Sequence, residues 1–188
     1  MINNFKIYQE LALRTEIKDY SEISRRLKQD NNVRLLHGMY LWLEIYELEQ
    51  AIENADKINI IEEVGDCAWY FSLLADHFQL IEKIKINFNY DANKCINNYD
   101  LTIIKQKVFL LNDNFKKLIF YNKNLDIKKS FIDILQDLYN EFVNQFGDIW
   151  ELALTKNIEK LKKRYAEEYT DKKANNRDLQ AELQVFKK

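Results

Sequence analysis

The chain has 188 residues, no proline and only three glycines, Gly38, Gly65 and Gly147. Tight β-hairpin turns draw heavily on glycine and related turn residues, and proline is the main chemical interrupter of a helix. A chain so short of both has the means to run long helices and few means to turn strands. The expected class is therefore all-α, a bundle built on antiparallel helix hairpins. At 47% apolar residues the chain is globular and long enough for a single domain with its own core.

Apolar periodicity divides that domain into helices. The pattern predicts a first helix over about 3–13, with Phe5, Tyr8, Leu11 and Ala12 on one face, and a short one near 20–29. One long helix is expected over about 32–53 and another over about 58–83, separated by Asn54-Ala55-Asp56-Lys57. The Asn- and Asp-rich stretch 84–98 reads as a loop. Further helices are expected over about 100–121, 127–145 and 147–166. The tail 167–188 is polar until Leu179, Leu183, Val185 and Phe186, a spacing that suits a short docking helix.

So short a break makes the two long early helices an antiparallel hairpin. The first helix carries Glu44 and Glu47, and the second carries Glu63 and Asp66. Residues three apart share a helix face, so each helix presents a pair of carboxylates in one direction. Positions 47 and 63 lie about eight residues on either side of the break, and positions 44 and 66 about eleven. At a rise of about 1.5 Å per residue, Glu47 falls level with Glu63 and Glu44 with Asp66. The four acids are thus expected to converge.

Four converging carboxylates repel one another, and removing each from water costs several kcal/mol. Either some are protonated or a cation sits among them. An oxygen-only donor set favours a hard ion, Mg²⁺ or Mn²⁺, over zinc. Taken singly, each pair equally describes ordinary acids on a solvated face. The second pair, however, is embedded in the strongly apolar run 60–71. Gly65 within it costs about 1 kcal/mol relative to Ala in a helix. A glycine there implies close approach by a facing helix or a ligand.

These residues resemble a known family. Residues 59–70, Asn59-Ile60-Ile61-Glu62-Glu63-Val64-Gly65-Asp66-Cys67-Ala68-Trp69-Tyr70, are similar to the second metal motif of the MazG-like, all-α nucleoside triphosphate pyrophosphohydrolases. Glu44-Ile45-Tyr46-Glu47-Leu48 stands where their first ExxE motif belongs, although Ile45 and Tyr46 replace the usual small residues. Residues 8–15 resemble their N-terminal helix. Residues 157–165 and Asn176-Arg177-Asp178-Leu179 resemble their C-terminal signature. The resemblance implies a helical bundle, usually completed by dimerisation. It also implies Mg²⁺-dependent hydrolysis of an NTP or dNTP to the monophosphate and pyrophosphate. It makes Glu44, Glu47, Glu63 and Asp66 catalytic metal ligands and Lys160 and Arg164 phosphate contacts. Asn157 and Tyr165 become weaker candidates for the same substrate site. Glu62 reads either as an orienter of the attacking water or as an exposed helix acid. For Lys162 and Lys163 a solvated helix end is the expectation. For Trp69 and Tyr70 it is core packing, with a base pocket as the alternative. For His37 a packed or surface position is expected, and for Cys67 a buried reduced thiol.

The middle of the chain is longer than a minimal family member needs. Residues 115–126 resemble an inter-helix segment and 131–139 an eroded second motif. The expectation is one domain over 1–188, made of a catalytic hairpin (34–83), a second segment (101–146) that is either a degenerate repeat of that hairpin or an unrelated helical insertion, and a C-terminal helix with its tail (147–188). The metal positions of the second hairpin then fall at roughly Leu111, Asn114, Ile134 and Asp137, with one carboxylate surviving. Such a chain would either form a homodimer or act as a monomer in which the repeat replaces the partner.

A net charge of −2 excludes a generally basic nucleic-acid binder but permits a local phosphate site. No stretch reaches the roughly 20 apolar residues of a membrane helix, and the first residues lack the pattern of a signal peptide, so a cytoplasmic protein is expected. The alternative to the enzyme is a catalytically silent nucleotide sensor or a helical interaction module.

Overall fold

A computed structural model describes residues 5–80, 99–123, 125–165 and 169–187. Among them every regular element is helical, as the scarcity of turn residues predicts. The helices are α1 (Phe5–Ala12), α2 (Ser21–Lys28), α3 (Asn32–Gly38), α4 (Leu41–Glu53), α5 (Lys57–His77), α6 (Thr102–Tyr121), α7 (Leu125–Phe146), α8 (Trp150–Tyr165), α9 (Asp171–Asn175) and α10 (Leu179–Phe186). The expected loop over 84–98 lies outside the described residues, as does Cys95.

The expected helix over 32–53 is two helices. Around Met39 and Tyr40 the backbone tightens into 3₁₀-type bonds, Tyr40 N–H to the His37 carbonyl at 3.0 Å and Leu43 N–H to that of Tyr40 at 2.8 Å. The resulting bend lets both α3 and α4 lie against α5. Gly38 makes the contact possible, because a Cβ there would stand 2.5 Å from Leu74 Cδ2.

The α4–α5 turn is closed by a Schellman motif. Ala55 takes a left-handed φ of 53°, Asp56 N–H reaches back to the Ala51 carbonyl at 3.0 Å and Ala55 N–H to that of Ile52 at 3.0 Å. Asp56 then caps α5, accepting from the Asn59 N–H at 3.1 Å. A second such motif ends α5 at His77, earlier than expected. There Gln79 has φ 54° and Leu80 N–H bonds the Ala75 carbonyl at 2.8 Å.

Helix α5 is the axis of the molecule and packs against α3, α4, α7, α8 and α10. Its apolar side, with Val64, Cys67, Phe71 and Leu74, meets Leu35, Leu48, Leu138, Phe142 and Ala153 in a core that includes both hairpins. Cys67 is a fully buried free thiol, and burial pushes its pKa well up. Helices α6 and α7 form the second hairpin, turning at Asn122 with φ 54°. Lys105 on α6 reaches Glu49 on α4, with Nζ 2.5 Å from Oε1.

The two ends of the chain behave differently. On α1 the expected apolar face stays exposed, with Phe5 76%, Tyr8 53% and Leu11 45% accessible. The tail helix α10 docks on α8 and α5 as expected, but by an unexpected face. Val185 and Glu182 are buried, whereas Leu179 and Leu183 are exposed.

Candidate active site

Three of the four acids meet. Glu44 from α4 and Glu63 and Asp66 from α5 each offer a carboxylate oxygen, and these oxygens lie within 4.8 Å of one another. Glu47 is exposed and outside that trio, although its charge raises the pKa of both Glu44 and Glu63. Burial, reinforced by Asp66 and the neighbouring glutamates, pushes Glu63 up to about 8. Burial, with Asp66 and Glu47, pushes Glu44 up to about 7 against the opposing pull of Lys160 and Arg164. Both shifts record carboxylates held together without enough positive charge.

Asp66 has acquired its own counter-ion. Lys160 on α8 is 1% exposed and donates to Asp66 Oδ2 at 2.5 Å, to Oδ1 at 2.7 Å and to Glu62 Oε1 at 3.2 Å. Asn157, one turn earlier, donates to Asp66 Oδ1 at 2.6 Å. Lys160 and Asn157, expected as phosphate contacts, thus stand against Asp66 in this structure. Both are buried behind Asp66, because an aspartate facing two raised glutamates needs compensation from the helix it packs on. Glu62, read as a water orienter or an exposed helix acid, is half-buried and serves as the second acceptor for Lys160. Gly65 permits the arrangement. A Cβ there would stand 2.9 Å from the Ala153 carbonyl oxygen and 2.8 Å from Asn157 Cβ, so the close approach is by α8.

The residues present fit a divalent cation. The trio is all carboxylate oxygen, and Glu63 Oε2 is buried with no hydrogen-bond partner. A buried carboxyl oxygen left without a partner is costly, and a cation among these donors would satisfy it and draw the group into its charged form.

Beside the trio opens a cavity of about 630 Å³ whose lining includes Glu44, Asp66, Arg164 and Tyr165. Of the expected substrate residues, then, Arg164 and Tyr165 reach it. Its aromatic walls also include His37, Trp69, Tyr70 and Tyr169. Trp69 and Tyr70 stand edge to face with centroids 4.9 Å apart, and His37 meets Trp69 at 5.4 Å. The expectation of plain core packing for Trp69 and Tyr70 is thus corrected: both are half-buried walls of the cavity. Lys162 and Lys163 are both exposed, as expected; Lys162 also stands at the cavity's edge, and Lys163 donates to the Ala181 carbonyl at 2.9 Å.

Residues 35–96 match the family model of the MazG nucleotide pyrophosphohydrolase domain. The match covers about a third of the chain and contains all four acids. No curated protein and no solved structure matches the chain. The MazG segment therefore includes the trio and the aromatic pair Trp69–Tyr70, while Arg164, Tyr165 and Lys160 come from α8, outside the match.

Glu182 escaped sequence reasoning, and Arg177 was marked only as part of the C-terminal signature at 176–179. Arg164 is gripped by Glu182, with Nε to Oε1 at 3.0 Å and Nη2 to Oε2 at 2.5 Å, and Arg177 joins at 2.9 Å. A signal existed. Glu182 lies three residues before Val185, on the same helical face, so docking by Val185 had to bury an acid.

Proposed function

We propose that the protein hydrolyses (deoxy)nucleoside triphosphates to the monophosphate and pyrophosphate, using a divalent cation held by Glu44, Glu63 and Asp66, with Glu47 at the edge of the set. The observation that carries this reading is the carboxylate trio, with its unpartnered Glu63 oxygen, opening onto an aromatic cavity that also bears Arg164. The match to a nucleotide pyrophosphohydrolase domain supports the same class.

When bound, Mg²⁺ or Mn²⁺ supplies charge neutralisation at phosphate oxygens and a more acidic water. The chain's own residues do the rest. Arg164 and Lys162 offer positive charge to the polyphosphate, Arg164 through a planar fork suited to phosphate oxygens. Trp69, Tyr70, Tyr165 and Tyr169 offer aromatic faces on which a base could stack. Lys160 and Asn157 fix the Asp66 carboxylate so that it faces the other two acids. Tyr165 packs beside Arg164, whose guanidinium carbon lies 5.7 Å from its ring centroid.

The hairpin α6–α7 is proposed as a silent counterpart of α4–α5 within the same chain, supporting the site instead of a partner subunit. No described helix is long and apolar enough to cross a membrane.

The decisive experiment incubates the folded protein with a panel of NTPs and dNTPs in Mg²⁺, Mn²⁺ or EDTA and resolves the products. Monophosphate with pyrophosphate, lost in EDTA, is the expected result. Release of single phosphates, or no turnover in either metal, would exclude the proposal and leave a silent nucleotide binder.

A further inference from the structure

The tail helix α10 contributes little apolar surface. Leu179 is 63% and Leu183 40% exposed, yet Glu182 between them is 4% exposed. Burying a carboxylate costs several kcal/mol unless it is fully paired, and an apolar residue would have docked the helix more cheaply. The pairing is specific. Glu182 receives Arg164 through a two-point fork, with Nε to Oε1 at 3.0 Å and Nη2 to Oε2 at 2.5 Å. Arg177 adds a third bond to Oε2 at 2.9 Å. Two guanidiniums share one carboxylate, so Arg164, Arg177 and Glu182 together keep a net positive charge. The fork engages Nε and Nη2, which leaves Nη1 as the guanidinium nitrogen that Glu182 does not take.

Arg164 sits in the last turn of α8 and lines the cavity beside the acids. A long side chain at a helix end samples many rotamers, and freezing it at the moment of binding costs free energy. A bidentate partner removes that cost beforehand and fixes the plane of the fork. Helix α10 is itself held for the purpose. Asp178 caps it, accepting from the Ala181 N–H at 3.0 Å, Lys163 on α8 binds the Ala181 carbonyl at 2.9 Å, and Val185 is buried.

We propose that Glu182 is a positioning residue of the polyphosphate site: it holds the Arg164 guanidinium in one orientation at the cavity wall, which makes the C-terminal helix a working part of the active site. This rests on the reading of the cavity as a triphosphate site.

The test measures binding of inorganic tripolyphosphate with Mg²⁺ by calorimetry, and KM and kcat on the four standard dNTPs and dUTP, in the full chain. Glu182→Gln keeps the shape and removes the charge-assisted fork. It is expected to weaken tripolyphosphate binding and raise KM by about tenfold, with a smaller change in kcat. Arg164→Lys keeps the charge but not the fork and is expected to do the same. It also covers the case in which Glu182→Gln fails to fold, as judged by circular dichroism. In an Arg164→Ala background, Glu182→Gln is expected to add nothing further. A merely structural acid would lower the active fraction, and so the apparent kcat, with KM and the dissociation constant unmoved. That result overturns the proposal, as does a Glu182 effect that persists without Arg164. Tighter binding by Glu182→Gln overturns it too, in favour of a tail that competes with phosphate. Turnover without any Glu182 effect sinks this inference alone. Glu182-dependent binding without turnover sinks the hydrolase reading alone. A wild-type protein that neither binds nor turns over sinks both.

Discussion

The two hairpins use the same device for different ends. Among the described residues each turn has one in the left-handed region, Ala55 at φ 53° in the first and Asn122 at φ 54° in the second. Glu47 and Glu63 are 16 residues apart, and so are Asn114 and Ser130 in α6–α7, where Asn114 Nδ2 donates to Ser130 Oγ at 2.9 Å. In this register Ser130 stands level with Asn114, about one helical turn before Ile134, the position the repeat alignment sets beside Asn114. Asp137, the one carboxylate expected to survive there, is exposed and paired with Lys107 at 3.0 Å. One hairpin thus fills its polar interior with a neutral hydrogen bond that satisfies itself. The other fills it with acids that do not. The difference teaches that the α4–α5 hairpin carries a cost its own fold has no use for, and an unmet charge of that kind marks the side built for a ligand.

The sharpest way to break the contrast is to neutralise one side. Glu63→Gln is expected to lower hydrolysis by at least about a hundredfold and to abolish the rise in melting temperature on adding Mg²⁺. The same substitution is expected to leave the metal-free protein as stable or more so, because it removes repulsion from Glu44 and Asp66. Full activity in Glu63→Gln would refute the metal assignment.

Next in size is Gly65→Ala. Helix propensity favours the alanine by about 1 kcal/mol, but the new Cβ would meet a backbone oxygen of α8 at 2.9 Å, which cannot swing aside. The clash is expected to win, with a net loss of about 1–3 kcal/mol in chemical denaturation. Activity should fall with it, because Asn157 and Lys160 ride on the displaced helix. A stabilised variant would show that α8 has room to shift.

pH sharpens the same comparison. Glu63 at about 8 and Glu44 at about 7 both lie above their ordinary value of 4.5. The folded protein therefore holds protons that the unfolded chain releases. The stability from these groups is fully present below about pH 4.5 and is lost as pH rises through 7 and 8. Melting curves without metal should fall over that window, and the stabilisation gained from Mg²⁺ should grow across it. A Mg²⁺ effect equal at pH 6 and pH 8.5 would contradict this.

The smallest effect belongs to the neutral side. Ser130→Ala leaves the buried Asn114 amide without its partner and is expected to cost about 1 kcal/mol of stability, with kcat and KM unchanged. A kinetic effect of Ser130→Ala would show that the second hairpin takes part in the chemistry.

Much of this was legible before any fold was known. Glu44, Glu63 and Asp66 were marked by spacing and mirror placement about one turn, since helical periodicity turns sequence separation into position along a shared face. The break at Met39–Tyr40 was not, because it depends on how closely Gly38 approaches Leu74 across the bundle. Nor were the roles of Lys160 and Arg164 separable. They lie four apart on one helix and look alike as cations, yet one is 1% exposed behind Asp66 and the other lines the cavity.

By itself, then, the sequence determined the all-helical class, the first hairpin and the acids that converge on it, because these follow from local backbone chemistry and a fixed helical pitch. Only the tertiary structure decided which cation neutralises an acid and which faces the cavity, and that a glutamate from the tail holds Arg164. Those outcomes depend on burial and on distances between helices far apart in the chain. Burial sets the cost of each charge, and the packing of α5, α8 and α10 sets which partner is near enough to offset it.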